Sequence, residues 1–504
     1  MGVIIGVIIF YMCIVLGIGY WAMKKTKSSS DFFVAGKQLG ILAVALASFS
    51  AAISGFVFVG GPGLEYKLGI GTLWLTFPTS ISFMMAWLIL GKKMRFLAEV
   101  RDCMTVSDAI YARYESKGAS FLAAIASLVG LILYLATQIS AFAFILSPIF
   151  GWSFKTAVLI GMGIVLAYSV AGGMLAGVYT DVFQGSIMAV ASIFVFAYTL
   201  LHGGGMSNMT STLAQNVAPE FVGPFGLVGP GLAMGWFFCL SIGIVGQPHI
   251  AHKFYMIKDI KKLKWGPTIA AVAGMLGGLL WLGVGLVVRY KTSIGALDAL
   301  SSQEAVKQLL AGNSDYAIAV FLNNYTPKIL AGIIYAGIAS AVMSTADSFI
   351  NLASAAIVRD IPKVFNKRLK ANQELKYGRF AVVILSVLTV VISFVFGKSG
   401  VAILGAFGWG TFAAALAPAL GIGLNWKRAT KEAAFSSILV GLSLNLILEI
   451  GSKTGAAFYT KLFKPLGIYN GTFSLVISII IFIVVSYLTS QSKLKDDMLA
   501  VMDA

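Results

Sequence analysis

Two short strips of this chain concentrate uncharged oxygen in otherwise apolar surroundings. The first is Ser50-Ala-Ala-Ile-Ser-Gly55, where glycine and small hydroxyls interrupt an apolar run that continues to Gly60-Gly-Pro-Gly63. A break there frees backbone carbonyls, and in hydrocarbon such groups must be satisfied by protein, water or an ion. With the Ser50 and Ser54 hydroxyls they offer hard neutral ligands, which suit a small monovalent cation because they coordinate it without trapping it. The second strip is Ile338-Ala-Ser-Ala-Val-Met-Ser-Thr-Ala-Asp-Ser348. Ala341, Ser344 and Thr345 fall at i, i+3 and i+4, so the Ala341 carbonyl and both hydroxyls share one helix face. Small and hydroxyl residues also line tight contacts between membrane helices, and packing is the competing reading of this strip.

A second break, Ser241-Ile-Gly-Ile-Val-Gly-Gln-Pro-His249, repeats the pattern in the other half of the chain. Paired interrupted spans point to the substrate site of an inverted-repeat secondary transporter. Phe56, Tyr134, Gln138 and Gln247 lie on the two broken helices and the fourth apolar span. An aromatic with one or two amides fits a small zwitterion or organic acid, whose carboxylate half-helix N-termini could meet with backbone N–H groups; plain packing is the alternative for Phe56 and Tyr134. Asp181 and Asp347 are carboxylates at membrane depth, where such groups are costly and usually functional. Asp181 also reads as the N-cap of the sixth span. Asp347, one turn beyond Ser344, could attract a cation, relay a proton, or simply bond a neighbouring hydroxyl or amide. Glu449 sits near a span end and can snorkel. His249 and His252 lack Asp, Glu or Cys partners for a metal and read as hydrogen-bonding structural groups. No paired acid and base, and no nucleophile with its base, suggests an enzyme.

The elements that position these residues follow from composition. The chain has 504 residues, 58% of them hydrophobic and 11% charged, whereas a soluble domain carries about 25% charged residues. A bilayer is therefore its solvent. Thirteen continuous apolar runs, from 2–23 to 471–490, predict thirteen spanning helices, since a span needs about 20 apolar residues; barrel strands would alternate instead. Among them are 40–63, 156–173, 181–203, 229–250, 267–288 and 329–357. The net charge of +17 belongs to loops between spans, not to one basic face for nucleic acid. Most of the 37 Lys and Arg residues, Lys253 among them, fall in loops on one side, and the long loop 204–228 has none. The positive-inside rule then puts the N-terminus outside and the C-terminus in the cytoplasm. The three cysteines form no disulfide framework or metal spacing. The first run ends at Lys24-Lys25 without a cleavage signal and reads as a retained span.

Spans two to six and seven to eleven make two five-span units. Five is odd, so the second unit is inverted relative to the first, and a broken helix opens each. The division expected is 1–39 for an extra N-terminal span and cytoplasmic loop, 40–203 for the first repeat and 204–228 for an external loop. The second repeat is 229–424, and further C-terminal spans with a tail occupy 425–504.

Several ordered motifs resemble the sodium/solute symporter family, whose members carry proline, pantothenate, sugars and monocarboxylates. They are Gly60-Gly-Pro-Gly63, Leu90-Gly-Lys-Lys-Met-Arg95 followed by Ala112-Arg-Tyr114, Gly172-Gly-Met-Leu-Ala-Gly-Val-Tyr-Thr-Asp-Val-Phe-Gln184, Gly246-Gln-Pro-His249 and Met343-Ser-Thr-Ala-Asp-Ser348. The resemblance implies an all-α, five-plus-five inverted-repeat (LeuT-like) core and sodium-driven alternating access. Carried over by position, it implies a sodium site from the carbonyls of Ser50, Ile53 and Ala341 and the hydroxyls of Ser344 and Thr345. It further implies that Thr180 and Asp181 help the ion leave inward, and it puts Lys37 where many members have an arginine beside the inner mouth. Ala52 stands where proline carriers have an aspartate, a lost negative charge that bears on sodium affinity more than on sodium use. Leu240 and Ile244 stand where those carriers have bulky aromatics, which argues for a solute other than proline and leaves a small monocarboxylate, another amino acid or pantothenate open. The expectation is Na+-coupled symport of a small amino acid or organic acid into the cell, through the plasma or inner membrane, with no protein partner required. A proton-coupled carrier, selected by uptake on a pH gradient without sodium, and a membrane sensor on the same core are the alternatives.

Overall fold

The computed structural model describes residues 2–25, 39–52, 54–367, 369–396, 400–491 and 493–504; Lys37 and Ile53 lie outside them. The described residues are overwhelmingly helical, with one isolated bridge between Leu39 and Ile257. Among the described residues, nine helices are individually long and apolar enough to cross a membrane, and a bent pair, Pro230–Gly246 with Pro248–Phe254, makes a tenth. By length and apolarity nine or ten spans are thus recognised where thirteen were expected.

Both expected breaks are present. α1 (Gly2–Lys25) is followed by α2 (Ile41–Ala52), and the chain resumes through a π turn, Phe56–Gly60, into α3 (Gly61–Leu68). The restart is fixed locally: Ser54 Oγ accepts from the Phe56 N–H at 3.2 Å, and the Ser54 carbonyl accepts from Val57 and Phe58. That carbonyl is thus used by the helix and is not free. After α4 (Lys117–Phe150) comes α5 (Phe154–Gly203), and then the second broken helix, α6 (Pro230–Ile242) and α7 (Pro248–Phe254). A 3-10 turn, Gly243–Gly246, separates the halves, which bend by 42°. Pro248 has no N–H to continue the ladder but suits the first turn of α7.

Two features differ from expectation. α5 is one helix of 50 residues across the spans expected at 156–173 and 181–203, and Tyr179–Gly203 within it is by itself long and apolar enough to cross a membrane. Glycine pairs weaken a helix by about 1 kcal/mol per residue without forbidding it. Conversely, the span expected at 267–288 is interrupted. α8 (Gly266–Trp281) and α9 (Val284–Ser293) meet at Gly283, whose φ of +120° favours glycine.

This third interruption explains Glu65. Its buried carboxylate accepts the N–H groups of Gly283, Gly285 and Leu286 at 2.9–3.3 Å, capping α9 from α3. Helix N-termini leave such donors without intrahelical partners. α10 (Lys328–Ala355) packs against α1, α4 and α5, so the Ser344 strip faces the bundle interior. α11 (Ala371–Phe396), α12 (Val401–Ala417), α13 (Lys431–Thr454) and α14 (Asn470–Leu488) complete the bundle. Glu449 on α13 is buried and does not snorkel. The C-terminal α15 (Asp496–Asp503) is docked by Arg101–Asp497, Lys495–Glu115 and Lys427–Asp503 pairs. The Arg101 hydrogen bonds hold the Asp497 carboxyl below its ordinary range.

The Glu65 cap makes a measurable claim. Glu65→Ala strands several buried N–H groups and should lower unfolding stability by roughly 2–4 kcal/mol, while Glu65→Gln, which still accepts, should lose less. Thermal melts of the purified protein check both the order and the size.

Candidate functional site

The two oxygen-rich strips meet. Ser50, in the last turn of α2, donates from Oγ to Ser344 Oγ on α10 across 2.8 Å. Ser344 Oγ donates in turn to Asp181 Oδ1 on α5. Ala341, Ser344 and Thr345 are fully buried on α10, and Thr180 and Asp181 are fully buried on α5. Two hydroxyls from different helices, with a carboxylate behind one of them, fit a small cation. Its charge would be balanced nearby, while its immediate ligands stay uncharged.

Asp181 does not cap a helix, because α5 runs continuously past it. Its second oxygen, Oδ2, instead receives Lys253 Nζ at 2.6 Å; the lysine is 1% and the aspartate 0% exposed. Lys253 Nζ also donates to Ser348 Oγ at 3.3 Å. Lys253 is therefore not a loop lysine, as the count of positive charges had it. The break at Gln247 redirects α7, whose residues are all buried, and its last turn delivers Lys253 to α5 and α10. Asp347 is held separately: Ser169 Oγ donates to its Oδ1 at 2.6 Å and Asn351 Nδ2 at 2.9 Å.

Of the four residues expected near the solute, only Phe56 lines a small cavity of about 30 Å³, with Ser82, Leu240, Ile244, Trp281 and Trp409. Phe56 meets Trp281 edge-on at 5.4 Å. Tyr134 is buried against Phe349, and its hydroxyl lies 3.2 Å from Ser54 Oγ. Gln138 Oε1 accepts the Gly55 N–H at 2.8 Å, bridging α4 to the first break. Gln247 Nε2 donates to the Gly243 and Trp409 carbonyls, closing the second break. These bonds fix how each amide is turned; among the described residues, Gln138 Nε2 is left as a donor and Gln247 Oε1 as an acceptor without partners, and Trp409 Nε1 is a further buried donor without one. Neither ring nitrogen of His249 has a hydrogen-bond partner among the described residues. The histidine packs on Phe349, with ring centroids 4.5 Å apart, so its part here is aromatic packing and not hydrogen bonding. A separate, larger cavity of about 920 Å³ is lined by Gly60, Phe144, Trp152, Asp315 and Gly400 among others.

The profile of the Sodium:solute symporter family matches residues 32–441. The chain belongs to that family. Across 97% of this symporter and 95% of the relative, it is 26% identical to the osmoregulated proline transporter OpuE of Bacillus subtilis. It is 29% identical to the sodium/pantothenate symporter of Haemophilus influenzae, over 90% of this chain and 92% of that one. A solved Na+-coupled sialic acid symporter superposes with a TM-score of 0.74 at 18% identity, covering 97% of this chain and 99% of that one, which establishes the shared LeuT-type fold. The protein is thus a membrane-embedded secondary transporter with sodium as its coupling ion.

Sequence reasoning about this symporter missed Lys253, Trp281, Trp409 and Ser82. For Lys253 a signal existed: it lies six positions after Gln247 and is followed by Phe254-Tyr255-Met256-Ile257, a poor setting for a solvated lysine. Trp281 and Trp409 resemble any other membrane tryptophan until the helices are assembled.

The first break leaves no room for a side chain. A Cβ on Gly55 would lie 2.5 Å from Ala141 Cβ and 3.1 Å from Gln138 Oε1. Gly55→Ala should cost about 1–3 kcal/mol by overpacking and lower the melting temperature; adding Ala141→Gly should recover part of the loss. A double variant no more stable than Gly55→Ala alone would contradict the assigned contact.

Proposed function

We propose that the coupling sodium is held by the Ser50, Ile53 and Ala341 carbonyls and the Ser344 and Thr345 hydroxyls. The Ser50–Ser344–Asp181 chain of hydrogen bonds carries this reading, because it joins the broken end of α2 to the continuous α10. An ion there ties together two elements that must separate during alternating access. Solute and sodium then raise each other's affinity, as linkage requires. Thr180 and Asp181 form the inward exit for the ion, Asp347 contributes negative charge one turn away, and Lys37 belongs to the inner mouth.

The working division is 40–203 and 229–424 as inverted repeats, with the N-terminus outside and the C-terminus in the cytoplasm, in agreement with the distribution of lysine and arginine. Transport is inward, driven by the sodium gradient. The solute is a small organic acid or amino acid. Gln138 Nε2 and Trp409 Nε1 supply donors for a carboxylate, Gln247 Oε1 accepts from an N–H or O–H, and Phe56, Leu240, Ile244 and Trp281 enclose an apolar body. Among the described residues no charged side chain lines the small cavity, which favours a compact solute whose charge is met by neutral dipoles. Proline and pantothenate, the solutes named for the relatives, both fall within that class.

Uptake into proteoliposomes, with labelled solutes and imposed sodium, lithium or proton gradients, tests the reading. Ser344→Ala combined with Thr345→Ala should raise the sodium concentration for half-activation about tenfold or more, through loss of two ligands, and should leave the melting temperature nearly unchanged. Sodium activation identical to wild type in that variant would remove the proposed ligands.

A further inference from the structure

Asp181 is shared. One of its oxygens holds Ser344, a member of the proposed sodium shell, and the other holds the Lys253 ammonium at 2.6 Å. Both charged side chains are sealed from solvent. Burying a lysine is costly, and nothing in the architecture of α7 demands it. The neighbouring Ile250, Ala251 and Phe254 of the same short helix are buried apolar residues that already anchor it. The lysine is therefore placed where its charge matters.

Two cations drawing on one carboxylate weaken each other's hold. In a low-dielectric interior, charges a few ångströms apart interact far more strongly than in water, so an ammonium fixed to Asp181 Oδ2 raises the electrostatic cost of sodium beside Oδ1. We propose that Lys253 is a tethered cation that competes with sodium for Asp181 and lowers the affinity of the ion site when docked as it is here. It acts through Asp181 and is a positioning residue, not a ligand. Because Lys253 belongs to the second half of the second broken helix while Asp181 and Ser348 belong to α5 and α10, its docking depends on how these elements sit together. Movement of α7 away from α5 would free Asp181 for sodium, and return of α7 would help expel the ion. The site thereby alternates between tight and loose binding of sodium without changing its ligands. This inference rests on the sodium site proposed above.

Sodium affinity of the purified full-length protein, measured with radioactive sodium alone and by sodium-dependent thermal stabilisation, tests it. Lys253→Met should tighten sodium binding about tenfold or more, as expected for removal of a buried like charge. Lys253→Arg, which keeps the charge, should stay within about threefold of wild type. In an Asp181→Asn background, Lys253→Met should move affinity by less than about threefold, since the shared carboxylate is gone. Should Lys253→Met not fold, Lys253→Gln, which keeps a donor beside Asp181, carries the same expectation. Unchanged or weaker sodium binding in folded Lys253→Met or Lys253→Gln would overturn the proposal, as would an equal gain in the Asp181→Asn background. The doubly substituted Ser344/Thr345 variant separates the two claims. If it loses sodium binding while Lys253→Met behaves as wild type, only the tethered-cation proposal fails. If it binds sodium normally, the ligand assignment itself is wrong.

Discussion

A polar group inside a membrane protein has no water to fall back on, and this constraint shapes the centre of the symporter. Ser50, Ser344, Asp181 and Lys253 satisfy one another in a single line from α2 through α10 and α5 to α7. Each member comes from a different helix, and two of those helices are pieces of broken spans. The line is therefore both a set of satisfied hydrogen bonds and a record of how the helices are arranged. Disturbing the arrangement leaves a buried hydroxyl or charge unpaired, which ties the chemistry of the site to the conformation of the bundle.

Each of the three principal interruptions is matched by a side chain that bonds the backbone groups at the break or restart, from elsewhere in the bundle at the first and third and from the break itself at the second. Gln138 takes the Gly55 N–H at the first break, Gln247 bonds two carbonyls at the second, and Glu65 caps the helix that restarts at Gly283. Two of these three groups, Gln138 and Gln247, each keep one polar atom, Nε2 and Oε1, without a partner among the described residues. In the proposed solute site these are the atoms that meet the solute. A site built this way needs no charged side chain to orient a carboxylate, because fixed dipoles in an apolar setting do so with little reorganisation.

Much of this was legible from residue order. Glycine, proline and small hydroxyls inside apolar runs located both principal breaks, and of the Ala341, Ser344 and Thr345 strip it is Ser344 that bonds Ser50. Helix existence depends on local composition, which a sequence displays. Partnership depends on which faces meet, which it does not. Lys253 was grouped with loop lysines because charge bias along a chain cannot reveal that a broken helix turns one of them inward. Glu65 and Gly283 are far apart in sequence, so neither the cap nor the break it serves could be anticipated. His249 invited a hydrogen-bonding role by its type, yet it is packed among aromatic rings that offer it no polar partner.

The central claim is that sodium binds where the end of α2 meets α10. Hydrogen–deuterium exchange of the purified symporter, with and without sodium at constant ionic strength, addresses it without knowledge of the solute. Sodium should slow exchange in peptides covering Ser50–Phe58 and Ile338–Ser348, and leave those of α14 unchanged. Protection confined to other segments, or none in these two, would contradict the account.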